Sequence, residues 1–261
     1  MAILLTIEIG NTTTCMALMQ EEKLLGTFRL STIASHTTDE IRIFMRNFLM
    51  EHHLDTDQIH DAIVASVVPE KTDHVLQAVE MMFGIHPIVI GPGVKTGIQL
   101  RFENAKEIGS DRIVNAAAAH KKYGRSCIVI DFGTATTFDY VDARGVFEYT
   151  IIMPGIEISA GALKAAAAKL PGIEIKRPDK ILARNTVSGM QAGLTYGYIG
   201  AVDAILKEMK IELKDNCWTV ATGELAETIA RECTEIDAYE KDLAPLGMRY
   251  IYDLNKDKRH S

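Results

Sequence analysis

Apolar and polar positions repeat along the chain in two similar halves. An apolar run from Ile3 to Ile9 carries one acidic residue, Glu8, and breaks at a Gly/Thr-rich turn from Gly10 to Thr14. A second apolar segment at 15–19, a polar turn at 20–23 and a third extended run at 24–30 follow. Close to half a chain later the order recurs. Val129 leads to Asp131, a turn at Gly133-Thr134, then segments at 138–141, 142–145 and 146–153. This predicts strand–turn–strand–turn–strand twice over. Aligning Glu8 with Asp131 superposes Gly10 on Gly133, Thr13 on Thr136 and Thr14 on Thr137.

Helical patterns lie between and after these runs. Thr37 and Glu40 have the spacing of a capping box ahead of an apolar-periodic helix to about residue 52. Residues 63–68 read as a buried strand ending at Pro69, followed by a helix to about 83 and a strand at 85–90. Further helices are predicted at 110–123, 157–169, 187–210 and 225–232. Mixed sheets with helices packed on them, present in duplicate, predict an α/β fold of two halves facing a central cleft.

Length and composition narrow the function. The 261 residues suffice for one large or two modest domains, and no low-complexity linker divides them. No stretch approaches the roughly 20 apolar residues of a membrane span. The N-terminal apolar run lacks a basic region before it, so a first strand is expected and a signal peptide is not. A net charge of −7 without a basic cluster argues against nucleic acid as a partner. Cys15, Cys127, Cys217 and Cys233 form no CxxC pair and are expected to be buried thiols of a cytoplasmic protein.

The two acidic–glycine–threonine turns carry the strongest chemical signal. Glycine lets backbone N–H groups approach phosphate closely, threonine adds hydroxyl donors, and a carboxylate at a strand end can hold a charge-neutralising metal. The same residues could also form two plain β-hairpins whose threonines suit strands. A second signal is Gly109-Ser110-Asp111-Arg112 at the head of an alanine-rich helix. Ser110 as an N-cap and Asp111 near the positive helix end would explain it structurally. Alternatively Asp111 takes a proton from a substrate hydroxyl while Arg112 pairs with a carboxylate. Three loops, at 153–155, 185–186 and 221–223, could be turns or could meet ligand. Asp131-Phe-Gly133 lacks the companion motifs of a protein kinase, and no Walker loop or HExxH occurs.

Taken in order, EIGNTTT, SVVP, GPGVKTG, GSDR, DFGTATTFD, PGI with Ser159 and Ala162-Leu163, LPG, NT and ATG resemble the type III pantothenate kinases from Ile3 to Asn255. The resemblance implies duplicated ribonuclease-H-like halves of the actin-like ATPase superfamily, at 1–118 and 119–261. It implies ATP-dependent phosphorylation of pantothenate to 4'-phosphopantothenate, the first step of coenzyme A biosynthesis. By the same analogy Glu8, Ile9, Gly10, Asn11, Thr12, Thr13, Thr14, Cys15 and Thr134 bind ATP. Phe102, Gly109, Ser110, Asp111, Arg112 and Thr186 bind pantothenate, with Asp111 the catalytic proton acceptor. Asp131 holds a monovalent cation, K⁺ or NH₄⁺, and Glu8 reaches toward Mg²⁺. A cytoplasmic homodimer is implied.

Five positions depart from the family pattern. Glu8 stands where aspartate is usual, Phe102 where tyrosine is common, and Ala105 where proline is. Tyr149-Thr150 replaces a Gly-Gly pair, and Glu224 a glycine. They raise an alternative: a paralogue of weakened activity that binds nucleotide or pantothenate and acts as a regulator. Hydrolysis of a phosphoanhydride on the same fold is a third reading, which steady ATP turnover without pantothenate would favour.

Overall fold

In the first strand, β1 (Ile3–Ile9), every residue except Glu8 is buried, which marks a strand covered on both faces. Ile3, Leu5, Ile7 and Ile9 point to one face and Leu4 to the other, following the two-residue period of a pleated strand. The computed structural model describes residues 3–223 and 226–258. Within it the chain divides into two units: Met1–Lys122 with Gly145–Phe147 and Asp242–Ser261, and Tyr123–Arg144 with Glu148–Lys241.

In the first unit β1 is flanked by β2 (Thr13–Gln20), β3 (Lys23–Ser31), β4 (Ile59–Ser66) and β5 (Ile88–Val89), in the order β3-β2-β1-β4-β5. The β1–β2 and β2–β3 pairs are antiparallel; β4 joins β1, and β5 joins β4, in parallel. Helices α1 (Thr38–Glu51) and α2 (Pro69–Phe83) cover one face, burying Phe48, Met45 and Val79 in a core with Leu5 and Ile7. Each such side chain taken from water contributes about 1.5–3 kcal/mol. The expected capping box opens α1: Glu40 N–H meets the Thr37 hydroxyl at 3.3 Å, and Thr37 N–H meets the Glu40 carboxylate at 2.8 Å. On the other face lie α3 (Ser110–Tyr123) and α7 (Leu243–Asp253), whose Val114, Ala117, Met248 and Ile251 pack with Leu4 and Ile63.

Sequence patterning misses α7, because Pro245 and Gly247 argue against a helix. Gly247 has a packing reason. A Cβ there would stand 2.3 Å from the Val114 carbonyl oxygen, so only glycine lets α7 approach α3 this closely. The units are therefore not contiguous in sequence, as the expected halves are: the last helix belongs with the first strand because its apolar face fills that core.

The second unit repeats the order. Strands β7 (Cys127–Phe132), β8 (Ala135–Val141), β9 (Val146–Pro154), β10 (Trp218–Thr222) and β11 (Ala238–Tyr239) run β11-β10-β7-β8-β9. Again the first two are antiparallel and the next two join in parallel. This is the ribonuclease-H-like topology in duplicate. The long α5 (Thr186–Leu213) buries Tyr198, Val202, Leu206 and Met209 at helical spacing against Ile130, Phe138 and Ala221, and the short α6 (Ala226–Ala230) adds Ile229 to the same core. The start of β9 belongs to the first unit, where Val146 and Phe147 pair in parallel with β6 (Gln99–Leu100).

Three cysteines are buried as expected; Cys15 is only half-buried. Burial pushes the Cys127 thiol up to about 12 and that of Cys217 to about 11, which leaves both protonated and unreactive. Among the described residues no helix is long and apolar enough to cross a membrane.

Candidate active site

The first turn is built on the β1–β2 hairpin. Ile9 pairs with Thr14 and Glu8 with Cys15, so Gly10 to Thr13 form the connection. Gly10 N–H donates to the Thr13 carbonyl at 3.0 Å, and Thr32 N–H donates to the Thr12 carbonyl at 2.8 Å. The buried Thr14 hydroxyl lies 2.7 Å from that of Thr32. These bonds brace the loop from within and leave Asn11 and Thr12 exposed. Glu8 is half-buried beside the turn.

The second turn repeats this with one residue fewer. Phe132 pairs with Thr136 and Asp131 with Thr137, and Gly133 N–H donates to the Ala135 carbonyl at 3.2 Å. Thr14 is thus the counterpart of Thr136, not of Thr137 as the ungapped alignment has it. The extra residue of the first loop, hidden in an alignment without gaps, shifts everything after it. The counterparts are anchored alike: the Thr136 hydroxyl bonds the Tyr198 hydroxyl from α5, as Thr14 bonds Thr32.

Two of the three suspect loops meet this second turn. Gly155, ahead of α4 (Ile156–Ala166), donates its N–H to the Thr134 carbonyl at 3.1 Å. A Cβ on Gly155 would stand 2.4 Å from the Gly133 carbonyl oxygen. Gly223, at a left-handed φ of 103°, lies so close that a Cβ would be 2.8 Å from Asp131 Oδ1 and 2.6 Å from the Phe132 carbonyl oxygen. Only glycine at 223 leaves room for Asp131 Oδ1 and the Phe132 carbonyl, and only glycine at 155 leaves room for the Gly133 and Thr134 carbonyls. The third loop opens α5, where the Asn185 side chain accepts from Ser188 N–H at 2.9 Å; Thr186, the first helical residue, is exposed.

At the head of α3, Ile113 N–H bonds the Gly109 carbonyl, so Ser110 is already the first helical residue. Its hydroxyl does not cap the helix: it donates to the Ser66 carbonyl at 3.0 Å. Ser66 ends β4 in register with Ile9, and Val67 N–H donates to the Ile9 carbonyl at 3.0 Å. The GSDR segment is thereby fastened beside the first turn. The Asp111 carboxylate accepts from Arg112 N–H at 2.8 Å, and a Cβ on Gly109 would reach within 2.3 Å of it. Asp111 and Arg112 are both half-buried. The Arg112 guanidinium lies 5.8 Å over the Phe147 ring, which meets Phe102 edge-on at 4.9 Å. Phe102, Gly109, Ser110, Asp111 and Arg112 thus form one cluster. Sequence reasoning missed Ser66 and Phe147; the SVVP string held a signal for the first only.

The departures have local partners. Ala105 begins a 3₁₀ turn that Asn104 caps by accepting from Lys106 N–H at 3.3 Å. The Thr150 hydroxyl donates at 2.9 Å to Asp139, a buried carboxylate, and Tyr149 packs on Tyr140. Replacing Thr150 by valine removes that donor, and urea unfolding should show a loss of about 1–3 kcal/mol. Glu224 lies outside the described residues.

The family model for type III pantothenate kinase matches residues 4–208. A type III pantothenate kinase of Geobacter sulfurreducens is 45% identical over 98% of this chain and 100% of its own. Another, from Syntrophotalea carbinolica, is 45% identical over 97% of this chain and 100% of its own. Among solved structures, component A of the (R)-2-hydroxyglutaryl-CoA dehydratase of Acidaminococcus fermentans has a TM-score of 0.55 at 12% identity, covering 99% of this chain and 100% of that one. At such identity the likeness speaks for the fold alone. The near-complete coverage by relatives, together with the motifs found at the two turns and the head of α3, fixes the family: the chain belongs to the type III pantothenate kinases.

Proposed function

We propose that the chain transfers the γ-phosphoryl group of ATP to the terminal hydroxyl of pantothenate, yielding 4'-phosphopantothenate at the entry to coenzyme A synthesis. The observation that carries this reading is the tether of Asp111 to the first turn, through Ser110 and the β4 end that pairs with Ile9. A proton acceptor and a phosphate-binding loop held by one short hydrogen-bonded path are what in-line transfer needs. The hydroxyl oxygen of pantothenate attacks the γ-phosphorus, its proton passes to a carboxylate oxygen of Asp111, and ADP leaves. A weak base suffices, because the loose transition state depends more on positioning than on deprotonation.

In this reading the segment from Glu8 to Cys15 follows the ATP phosphates, and Thr134 contacts the nucleotide. Gly109 to Arg112, Phe102 and Thr186 hold pantothenate. No three His, Cys, Asp or Glu side chains gather into a metal site among the described residues. Mg²⁺ would be held through substrate phosphates with one or two carboxylates, here Glu8. The Asp131 carboxylate and the nearby Phe132 carbonyl are hard oxygen donors, a set that fits K⁺ or NH₄⁺. When bound, such a cation offsets phosphate charge. Exposed Tyr149 and Ile152 on β9, and Ile158 and Leu163 on α4, support association into a homodimer; the family resemblance implies that it acts in the cytoplasm.

The test is ADP release by the purified protein with ATP, Mg²⁺ and K⁺. Release that depends on pantothenate, with a phosphorylated product seen by mass, is expected. Equal release without pantothenate would overturn the reading in favour of hydrolysis.

A further inference from the structure

Phe147 has no part in the family motifs, yet it is fully buried directly beneath Arg112. Its backbone is fixed by the parallel pairing of β9 with β6, where Arg101 N–H donates to the Phe147 carbonyl at 2.9 Å. Its ring is fixed by the perpendicular contact with Phe102, with centroids 4.9 Å apart and planes at 89°. Such edge-to-face packing is the favoured geometry of an aromatic pair, and it locks the ring in one orientation. The ring also carries the guanidinium at 5.8 Å from its centroid.

We propose that Phe147 is a positioning residue that sets selectivity for a carboxylated acceptor, by holding the Arg112 guanidinium over its ring face. This rests on the reading that Arg112 pairs with the pantothenate carboxylate. A planar guanidinium can meet a carboxylate through two parallel N–H bonds only when its plane is fixed. An aromatic face attracts the cation electrostatically without offering a hydrogen-bond acceptor, so the ring orients the group without itself drawing on the in-plane N–H donors. A carboxylate in place of the ring would compete with substrate for those donors. Burial of the ring also excludes water from beneath the cation, which strengthens the attraction.

The arrangement also accounts for Phe102. A tyrosine hydroxyl there would contribute a donor to the acceptor pocket. Phenylalanine contributes only its ring, which fixes Phe147. Acceptor recognition in this chain therefore leans on Arg112, and through it on Phe147.

The experiment compares two acceptors, pantothenate and pantothenol, in which a hydroxymethyl group replaces the carboxylate. KM is read because it does not depend on the concentration of folded enzyme, so partial unfolding of a variant does not confound it. Phe147→Met and Phe147→Leu both remove the ring face and keep an apolar side chain; one folded variant suffices. The expected result is a rise of about ten-fold in the KM for pantothenate, with the KM for pantothenol and for ATP within about two-fold of the parent. Phe147→Tyr, which keeps the ring, should retain the parent preference. An unchanged pantothenate KM in a ring-less variant, or equal rises for both acceptors, would overturn the proposal. Arg112→Ala serves as the reference: it should raise the pantothenate KM and spare pantothenol. If Arg112→Ala affects both acceptors alike, the carboxylate pairing itself is wrong. If it discriminates and the Phe147 variants do not, the inference about Phe147 alone fails.

Discussion

Asp111→Asn should lower kcat by about two decades or more while leaving the affinity for ATP unchanged. The substitution is chosen for its shape. Asp111 Oδ1 accepts the Arg112 N–H and fills the space that a Gly109 side chain would occupy, and the amide oxygen of asparagine can do both. The head of α3 should therefore keep its fold, fastened by Ser110 to Ser66. What is lost is the capacity to take a proton. Steady-state ADP release gives kcat, and calorimetric titration gives the ATP affinity. Retention of more than about a tenth of the parent kcat would show that Asp111 orients the acceptor and does not receive its proton.

The second large effect is expected at Gly223. Alanine there meets two penalties together. The φ of 103° lies in the region that L-residues avoid, and the new methyl would press on Asp131 Oδ1 and the Phe132 carbonyl. Backbone strain of this kind costs about 1–3 kcal/mol before any clash is counted. For a chain of this size, a drop in Tm of roughly 5–10 °C follows. Because the clash falls on Asp131, the proposed activation by K⁺ should weaken in the same variant, and Asp131→Ala should abolish it without the thermal penalty. Gly161→Ala is the control: it lies in α4 with open space around it, and its Tm should hold or rise slightly. A Gly223→Ala protein with parent Tm and parent K⁺ response would refute the close approach.

Local signals in the sequence carried far. The capping box of Thr37 and Glu40 lies within one short segment and formed as expected. The duplicated apolar–acidic–glycine pattern led to two sheets of the same strand order. What escaped depends on partners distant in the chain. The role of Phe147 exists only because β6, a two-residue strand without a readable pattern, pairs beside it. Ser110 looked like a cap because its context is that of one; its hydroxyl is taken by Ser66, a residue no local pattern connects to it. The one-residue offset between the turns lies in a loop whose residues, all Gly, Asn or Thr, align equally well in either register. Helix α7 was invisible for the reason it fits, since the glycine that weakens it as a helix is what seats it on α3.

The seating of α7 has a consequence for synthesis. The core that contains Leu4 and Ile63 also needs Met248 and Ile251, which lie beyond the whole second unit in the chain. During synthesis β1 emerges well before α7, so the face that α3 and α7 share is covered by α3 alone until residues 123–241 have been made. Residues 123–241 therefore have their own core available before the first unit can complete its own. A nascent chain halted before residue 242 would leave the sheet around β1, and not the second unit, exposed to chaperones and proteases.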